Sequence, residues 1–191
     1  MWVTKAKTAR YLGPLAGLLL GLPAGAADTA APAAAAPEAL PAVWTQKQLN
    51  FLFQGFTTRY SCDGLETKIK HVVRDLGARG DFEVHSYGCA TPSGRPDPFP
   101  SVSIRMSVLE PAPASAAAAD VVAAHWQRVD LHLDKDPVWE AGDCELLEQI
   151  KQKLLPLFAT RDVDFASNCV PHQLTLGTRL SAGLLVPDKR G

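Results

Sequence analysis

Hydrophobic and polar positions follow two different spacings along the chain, and these spacings predict its strands and helices. In the first half, Leu49, Phe51 and Phe53 alternate with polar residues, which is typical of a strand with one buried face. The alternation shifts by one position at Gly55, where a β-bulge is expected because glycine tolerates the backbone angles of a bulge. The shifted strand then continues through Phe56, Thr58 and Tyr60.

A helix and two further strands are predicted next. The 3.6-residue period of a helix that packs on one side is carried by Leu65, Ile69, Val72, Val73 and Leu76. A second strand begins at Phe82 and Val84. In the third strand the residues expected to face inward are Val102, Ile104, Met106 and Val108. The residues expected to face water are Ser103, Arg105 and Ser107.

The second half contains the same order of elements. The first strand carries Val129, Leu131 and Leu133, and the helix stripe carries Leu147, Ile150 and Leu154. Pro156 is expected to end or kink this helix, because proline lacks an N–H and crowds the carbonyl four residues back. Val163 and Phe165 begin the next strand. A last strand over residues 173–186 alternates through Leu174, Leu176, Leu180, Leu184 and Val186.

The two halves share the spacing of their key residues, which indicates an internal duplication. Trp44 lies 18 residues before Cys62, and Trp126 lies 18 residues before Cys144. We therefore expect an α+β fold, a two-layer sandwich of two tandem β-α-β-β pseudo-repeats. The expected sheet is mixed, with right-handed crossovers and both helices on one face.

Domain boundaries follow from the same pattern. A single α+β domain is predicted over residues 43–187, with pseudo-repeats at 43–110 and 125–187. Residues 111–124 are predicted to link the repeats, although their alanines leave a short helix open. Residues 188–191 are expected to form a tail.

The cysteines are predicted to form two disulfides, one within each half. In a strand–helix–strand crossover with parallel strands, the helix begins where the first strand ends, and the second strand finishes at that same end. Cys62 should therefore meet Cys89, and Cys144 should meet Cys169. An even number of cysteines in an exported protein also favours bridging.

The first residues resemble a secretory signal in their composition. Lys5, Lys7 and Arg10 precede a short apolar run, and small residues offer a cleavage site after Ala26. The apolar run is too short to span a bilayer as a helix, which requires about 20 residues. We expect residues 1–26 to be a signal peptide and residues 27–42 to be an Ala/Pro-rich linker. The mature protein is then periplasmic or extracellular, without stable membrane insertion.

The charge of the chain argues against two classes of partner. The formal net charge is −1, and loss of the three basic residues in the signal changes it to −4. A mildly acidic chain lacks the clustered lysine and arginine that nucleic acids and anionic membrane surfaces attract. We expect neither nucleic acid nor a membrane surface as a partner.

Residue patterns for a catalytic, cofactor or metal site are missing from the sequence. It contains no C-x-x-C pair, no G-x-S-x-G and no glycine-rich phosphate loop. The histidines form no H-x-H or H-x-x-x-H pair; they are His71, His85, His125, His132 and His172. We therefore predict no catalytic residue, no cofactor and no metal ligand.

Several residues nevertheless allow an alternative interpretation. A cysteine that follows a helix cap at Ser61 or Asp143 feels the helix dipole, which would suit thiol-redox chemistry. Asp134 and Asp136 could in principle bind calcium, but an Asp-Pro turn explains them more simply. The loop TPSGRPDPFP, with Arg95 and Phe99, and the residues Trp44, Trp126 and Trp139 could form binding surfaces. A connecting loop and buried anchors are the simpler interpretations.

The sequence favours an exported, non-enzymatic module of the cell envelope that is stabilised by two disulfides. Such a module binds a protein partner in the envelope or has a structural role. The alternatives are an enzyme or enzyme accessory whose site is assembled from residues distant in sequence, and a thiol-redox or metal-binding protein. Fold class alone does not separate these functions.

The predicted pairing can be tested by comparing two cysteine variants. Cys62→Ser and Cys89→Ser should each remove the same bridge, and each should lower the free energy of unfolding by about 3–4 kcal/mol. Thermal melts of the two variants should therefore agree with each other. A large difference between their melting temperatures would argue against this pairing.

Overall fold

The computed structural model describes residues 39–188, which contain one six-stranded sheet and two helices. The strands are β1 Leu40–Leu52, β2 Glu83–Tyr87, β3 Ser101–Pro111, β4 Val121–His132, β5 Thr160–Ala166 and β6 Arg179–Pro187. The helices are α1 Cys62–Asp75 and α2 Cys144–Gln149. The α+β class is therefore as expected. The predicted signal peptide and most of the predicted linker lie outside the described residues.

The order of strands across the sheet is β2-β3-β1-β4-β6-β5, and every pair of neighbours is antiparallel. The expected mixed sheet is thus wrong. β1 and β2 do run in the same direction, but β3 returns between them and forms the hydrogen bonds to both. β6 occupies the corresponding place between β4 and β5. A strand that follows another strand through a loop can pair between two strands of the sheet as readily as at the edge of the sheet.

The centre of the sheet is a short contact between β1 and β4. Their register runs only from Leu40, opposite Ala124, to Val43, opposite Val121. In contrast, β1 pairs with β3 along nearly its whole length, from Ala42 to Leu52. Most of the hydrogen bonding of the sheet therefore lies within each half of the chain, and little of it crosses the centre.

Helix α1 forms where the sequence predicts it. Ser61 is its N-cap, and the side-chain oxygen of Ser61 accepts a hydrogen bond from the N–H of Gly64 at 3.1 Å. The predicted stripe of Leu65, Ile69, Val72, Val73 and Leu76 is buried. Gly77, at a φ of 85°, follows the helix and ends it, because a left-handed backbone suits glycine.

Helix α2 is short, and its end changes geometry. A π turn, Ile150–Leu154, and a 3₁₀ turn, Leu155–Leu157, continue it. Pro156 lies in the 3₁₀ turn and ends the helix as expected, because it supplies no N–H to the carbonyl four residues earlier. No helix within residues 39–188 combines the length and the apolar composition that a membrane crossing requires.

Apolar side chains form two clusters. The larger one joins both helices to the alternating positions of the strands, among them Ile104, Val108, Leu180 and Leu184. The smaller cluster contains Ala42, Leu109, Ala124 and Leu185, with Trp44 and Trp126 packed against it. Ser107, which was expected to face water, is 9% exposed. The backbone N–H of Arg79 donates to the carbonyl of Ser107 at 2.9 Å, so the segment after α1 lies next to this position.

Two predicted strand segments are loops. β1 ends at Leu52, so the expected bulge at Gly55 is wrong, and residues 53–61 form the loop to α1. Gly55 is needed for close packing there, since a Cβ on it would lie 2.4 Å from the carbonyl oxygen of Thr58. The last strand begins at Arg179, and residues 167–178 form the preceding loop. Within that loop, Leu174 is 74% exposed.

The strand limits also differ from the predicted domain boundaries. β1 begins at Leu40, so residues 40–42 of the predicted linker belong to a strand. β4 begins at Val121 inside the predicted linker 111–124, and the short 3₁₀ turn Ala118–Asp120 precedes it. This 3₁₀ turn is the helical part of residues 111–124, which contain no α-helix.

The two disulfides are the ones that the sequence predicts. Cys62 is bonded to Cys89 with a Cα–Cα distance of 5.4 Å, and Cys144 to Cys169 at 5.5 Å. No cysteine is left free, and all four lie within residues 39–188. Each bridge joins the first turn of a helix to the loop that follows a strand of the same half.

The close packing at Gly55 can be tested with two matched substitutions. Gly55→Ala places a methyl group against the carbonyl of Thr58 and the ring of Phe53, and should lower the free energy of unfolding by about 1–3 kcal/mol. Gly80→Ala is the control, because nothing lies within 4 Å of its added Cβ. Urea unfolding of both variants measures the difference. Equal stability of the two variants would show that the loop relaxes freely.

Candidate functional site

Exposed hydrophobic side chains are concentrated in loops at the disulfide-bonded ends of the two halves. Within residues 39–188, the large apolar side chains that are more than 40% exposed include five from three loops. These loops span residues 53–61, 88–100 and 167–178, and the side chains are Phe56, Phe99, Val170, Leu174 and Leu176. Single exposed apolar residues are ordinary, but a group of them marks a candidate interaction site.

Phe56 contacts an aromatic side chain from each of the other two loops. Its ring lies 6.0 Å from the ring of Phe99 and 6.1 Å from the ring of His172, in edge-to-face geometry with both. Phe56 is 46% exposed and Phe99 is 42% exposed. We call Phe56, Phe99 and His172 the aromatic patch. One residue comes from each of the three loops, so the patch exists only when all three loops are in place.

Two side chains of the segment that begins with helix α2 hold the loop of residues 53–61 in place. The Glu145 carboxylate is buried, and one oxygen accepts hydrogen bonds from the N–H groups of Phe56 at 2.8 Å and Thr57 at 3.0 Å. One turn later, the Gln149 amide bonds to the N–H and the carbonyl of Gln54, at 3.0 and 2.9 Å. Residues four apart lie on the same face of a helix, so Glu145 and Gln149 together fix the backbone of this loop.

Thr57 connects the first loop to the third. Its hydroxyl donates to the second oxygen of Glu145 at 3.1 Å and accepts from the N–H of His172 at 2.8 Å. Pro171 precedes His172 and restricts the backbone there. The backbone that carries Phe56 and His172 is therefore hydrogen-bonded to helix α2 through Glu145 and across the two loops through Thr57.

A cluster of buried charged and polar side chains lies next to the loop of residues 53–61. The Asp143 carboxylate is fully buried, and it accepts hydrogen bonds from the Tyr60 hydroxyl, from Lys68 Nζ at 2.7 Å and from the Glu140 N–H at 2.8 Å. Lys68 Nζ also donates to the carbonyl of Val138 at 2.7 Å. Asp143 is the N-cap residue of α2, as expected, but its carboxylate turns to these three donors and makes no capping hydrogen bond to the helix.

Tyr60 responds to this surrounding with a strongly raised pKa. Burial is the main cause, since it disfavours the charged phenolate, and the negative charge of Asp143 adds to it. The hydroxyl therefore stays protonated and donates to Asp143 throughout the physiological pH range. This arrangement serves to hold the loop, because it keeps the donor of Tyr60 and the charge of Lys68 engaged with the same carboxylate.

A shallow groove of about 220 Å³ runs beside Phe56. Its lining is mostly polar and comprises Gln54, Phe56, Glu145, Glu148, Gln149, Gln152, Cys169 and Pro171. Amide and carboxylate groups thus lie directly next to the aromatic patch. The combination of an exposed apolar anchor point and a polar rim is typical of protein interfaces.

The structure brings only one of the candidate recognition residues into this site. Phe99 of the Pro-rich loop joins the aromatic patch, whereas Arg95 lies in the turn that Thr91 begins. Trp139 is a buried anchor. Trp44 and Trp126 are half-buried and pack against the smaller apolar cluster.

The other four histidines and the candidate calcium ligands Asp134 and Asp136 lie outside the aromatic patch. His125 contacts Asp188, His132 lies 4.0 Å from Asp134, and His85 is near Tyr87. Asp136 forms the expected Asp-Pro turn, in which its carboxylate accepts from the N–H of Val138 at 3.0 Å. His71 contacts Asp75 and Asp136.

Sequence reasoning missed the residues that build the site, above all Glu145, Gln149 and Thr57. The helical spacing of Glu145 and Gln149 was visible, but nothing in it indicates a loop 89 residues away as the partner of Glu145. No protein-family model, no curated protein and no solved structure matches the chain.

The raised pKa of Tyr60 predicts a loss of stability at high pH. The unfolded phenol loses its proton above about pH 10, whereas the folded one keeps it, so the stabilisation is complete below about pH 10 and falls as the pH rises further. Tyr60→Phe should remove this part of the dependence, whose slope is half-developed at about pH 10 and approaches about 1.4 kcal/mol per pH unit above it.

Urea unfolding between about pH 9 and pH 11 measures the slope for the parent protein and the variant. Tyr87→Phe is the matched control, because Tyr87 is 59% exposed. The Tyr87 variant should keep the parent slope. An unchanged slope in the Tyr60 variant would contradict the assignment.

Proposed function

We propose that the protein is an exported, non-enzymatic binding module that acts in an oxidising compartment and binds a protein partner through the aromatic patch. The two disulfides are consistent with an oxidising environment. The observation that carries the proposal is the group of Phe56, Phe99 and His172 on three hydrogen-bonded loops.

The energetics of the loops support binding. Side chains that must be ordered during association cost about 0.5–1.5 kcal/mol each, and a surface that is already ordered avoids much of that cost. The backbone that carries Phe56 is fixed by Glu145 and Gln149 before any partner arrives. Aromatic residues also contribute a large contact area for few rotatable bonds, which is why they dominate interface energetics.

The chemistry of the groove suggests what the partner presents. The groove offers a partner the carboxylate of Glu148 and the side-chain amides of Gln54 and Gln152, because the Glu145 carboxylate and the Gln149 amide are already bonded to the loop of residues 53–61. A complementary segment places an apolar side chain on Phe56 and Phe99, and N–H donors in the groove. A protein segment of this kind, in the cell envelope, is the partner that we propose.

The proposal of a binding module is favoured over an enzyme by how the buried ionisable groups are used. Tyr60, Lys68 and Asp143 satisfy one another and hold a loop. The cysteines are all in bridges, which we assign to structural support. Catalytic groups need access to a substrate, and the Asp143 carboxylate is 0% exposed.

We further infer that the chain is a tandem duplication with both helices on one face of the sheet. Buried residues of both helices share one cluster with the same alternating positions of β3 and β6. The guanidinium of Arg79 lies 5.7 Å from the ring of Trp44, and that of Arg161 lies 4.9 Å from Trp126. Trp44 and Arg79 each precede their counterparts in the second pair by 82 positions. The same interval separates Cys62 from Cys144.

The central strand pairing supports the same inference. Leu40 is opposite Ala124, and Ala42 is opposite Val122. The counterpart of Leu40, 82 positions later, is Val122, and the counterpart of Ala42 is Ala124. Each residue of β1 therefore pairs with the counterpart of the other one. Such a register is what two equivalent strands related by a two-fold axis adopt.

The aromatic patch can be tested by affinity capture from an envelope extract, followed by binding measurements with the purified partner. The double variant Phe56→Ser and Phe99→Ser should bind the partner at least about 30-fold more weakly, which corresponds to the loss of about 2 kcal/mol at an interface hot spot. Both side chains are partly exposed, so the variant should keep its fold and its disulfides.

Val163→Ser is the matched control, because Val163 is 44% exposed on the edge strand β5 and lies outside the three loops. This variant should bind the partner like the parent protein. Equal affinity of the double variant and the parent would refute the proposed surface.

A further inference from the structure

Three side chains with metal-binding atoms meet between α1 and the loop of residues 133–143. His71 and Asp75 are four residues apart on α1, and Asp136 comes from the loop. His71 Nε2 lies 2.7 Å from Asp136 Oδ2 and 3.1 Å from Asp75 Oδ2. One ligand atom from each residue lies within 4.8 Å of the others.

Each of these residues is held by contacts other than those within the group. Asp136 Oδ1 accepts from the N–H of Val138, which turns Oδ2 towards His71. His71 and Asp75 are carried by a helix whose adjacent residues Val72 and Leu76 are buried in the core. Secondary contacts of this kind orient ligands in metal sites.

The donor set has the composition of a divalent transition-metal site. It offers one imidazole nitrogen and two carboxylates, and the two negative charges balance the charge of a divalent ion. The side chains of His71, Asp75 and Asp136 are 24%, 33% and 30% exposed, so an ion can reach them and keep a water ligand. We propose that His71, Asp75 and Asp136 bind a divalent transition-metal ion of the zinc class.

The distances agree with this proposal. An ion held tetrahedrally at about 2.1 Å from each ligand keeps the ligand atoms about 3.4 Å apart. The separations of 2.7 and 3.1 Å are somewhat shorter than that value, and all three ligand atoms lie within 4.8 Å of one another. Small rotations of the side chains are therefore enough to admit the ion.

Calcium is a poor fit to the same position. Calcium takes six to eight oxygen ligands, and this group includes a nitrogen and only two carboxylates. Asp134, another aspartate of the same loop, lies beside His132 instead, at 4.0 Å. The proposed ion joins helix α1 of the first half to the loop that precedes α2. Its function would be to stabilise the fold, independently of the aromatic patch.

Zinc titration of the chelator-treated, disulfide-intact protein tests the proposal by calorimetry and by thermal melting. One zinc ion per chain should bind, and the melting temperature should rise, because a ligand that binds only the folded state stabilises it. His71→Ala and Asp136→Asn should each weaken zinc binding at least about 10-fold. Asn at position 136 retains an acceptor for the Val138 N–H, so this variant should still fold.

His132→Ala is the matched control, because His132 also lies beside an aspartate on a loop of the same region. It should bind zinc like the parent protein. Zinc binding that is equally strong in the parent, His71→Ala and Asp136→Asn proteins would overturn the proposal. So would a lack of saturable binding up to about 1 mM zinc.

Discussion

The buried carboxylate of Asp143 is the constraint on which the arrangement of the two halves depends. An unpaired charge in an apolar interior is very costly, so the chain must bring compensating donors to it. Two of these donors, Tyr60 and Lys68, belong to the first half, whereas Asp143 belongs to the second. Since β1 and β4 share only a short register, this polar contact and the shared apolar core are what join α1 to the loop before α2.

The proposed sites lie on either side of that contact. On one side, Glu145 follows Asp143 and Cys144 in the chain, and its carboxylate accepts hydrogen bonds from the backbone N–H groups of Phe56 and Thr57. On the other, Lys68 binds the carbonyl of Val138, two residues after Asp136, and so places the loop against His71. Binding residues on loops need a rigid support. Here the hydrogen bonds to the buried Asp143 carboxylate provide it, because that charge is very costly without them.

Periodicity in the sequence was sufficient to find the elements whose contacts are local. The stripe from Leu65 to Leu76 predicted α1, because each of its residues packs on one side of a continuous helix. The cysteine pairs were also predictable, since each half returns its chain to the start of its helix. These conclusions depend only on spacings within about 30 residues of the same half.

Contacts between the halves left no such signal. Tyr60 and Asp143 are 83 residues apart, and each resembles an ordinary residue before a helix. The position of β3 between β1 and β2 was missed because alternation identifies the buried face of a strand but not its neighbours. Gly55 was assigned to a bulge for the same reason: its true role depends on the ring of Phe53 and the carbonyl of Thr58, which fold back over it.

The register at the centre of the sheet has an evolutionary consequence. On the proposed duplication, the segment from Leu40 to Val43 pairs with its own counterpart, as the subunits of a symmetric homodimer do. An ancestral chain of half this length could have joined a second copy of itself through that segment. Fusion of the two genes would then have converted a concentration-dependent association into a permanent one. It would also have freed each half to diverge, and on that view the aspartate at position 143 corresponds to the serine at position 61.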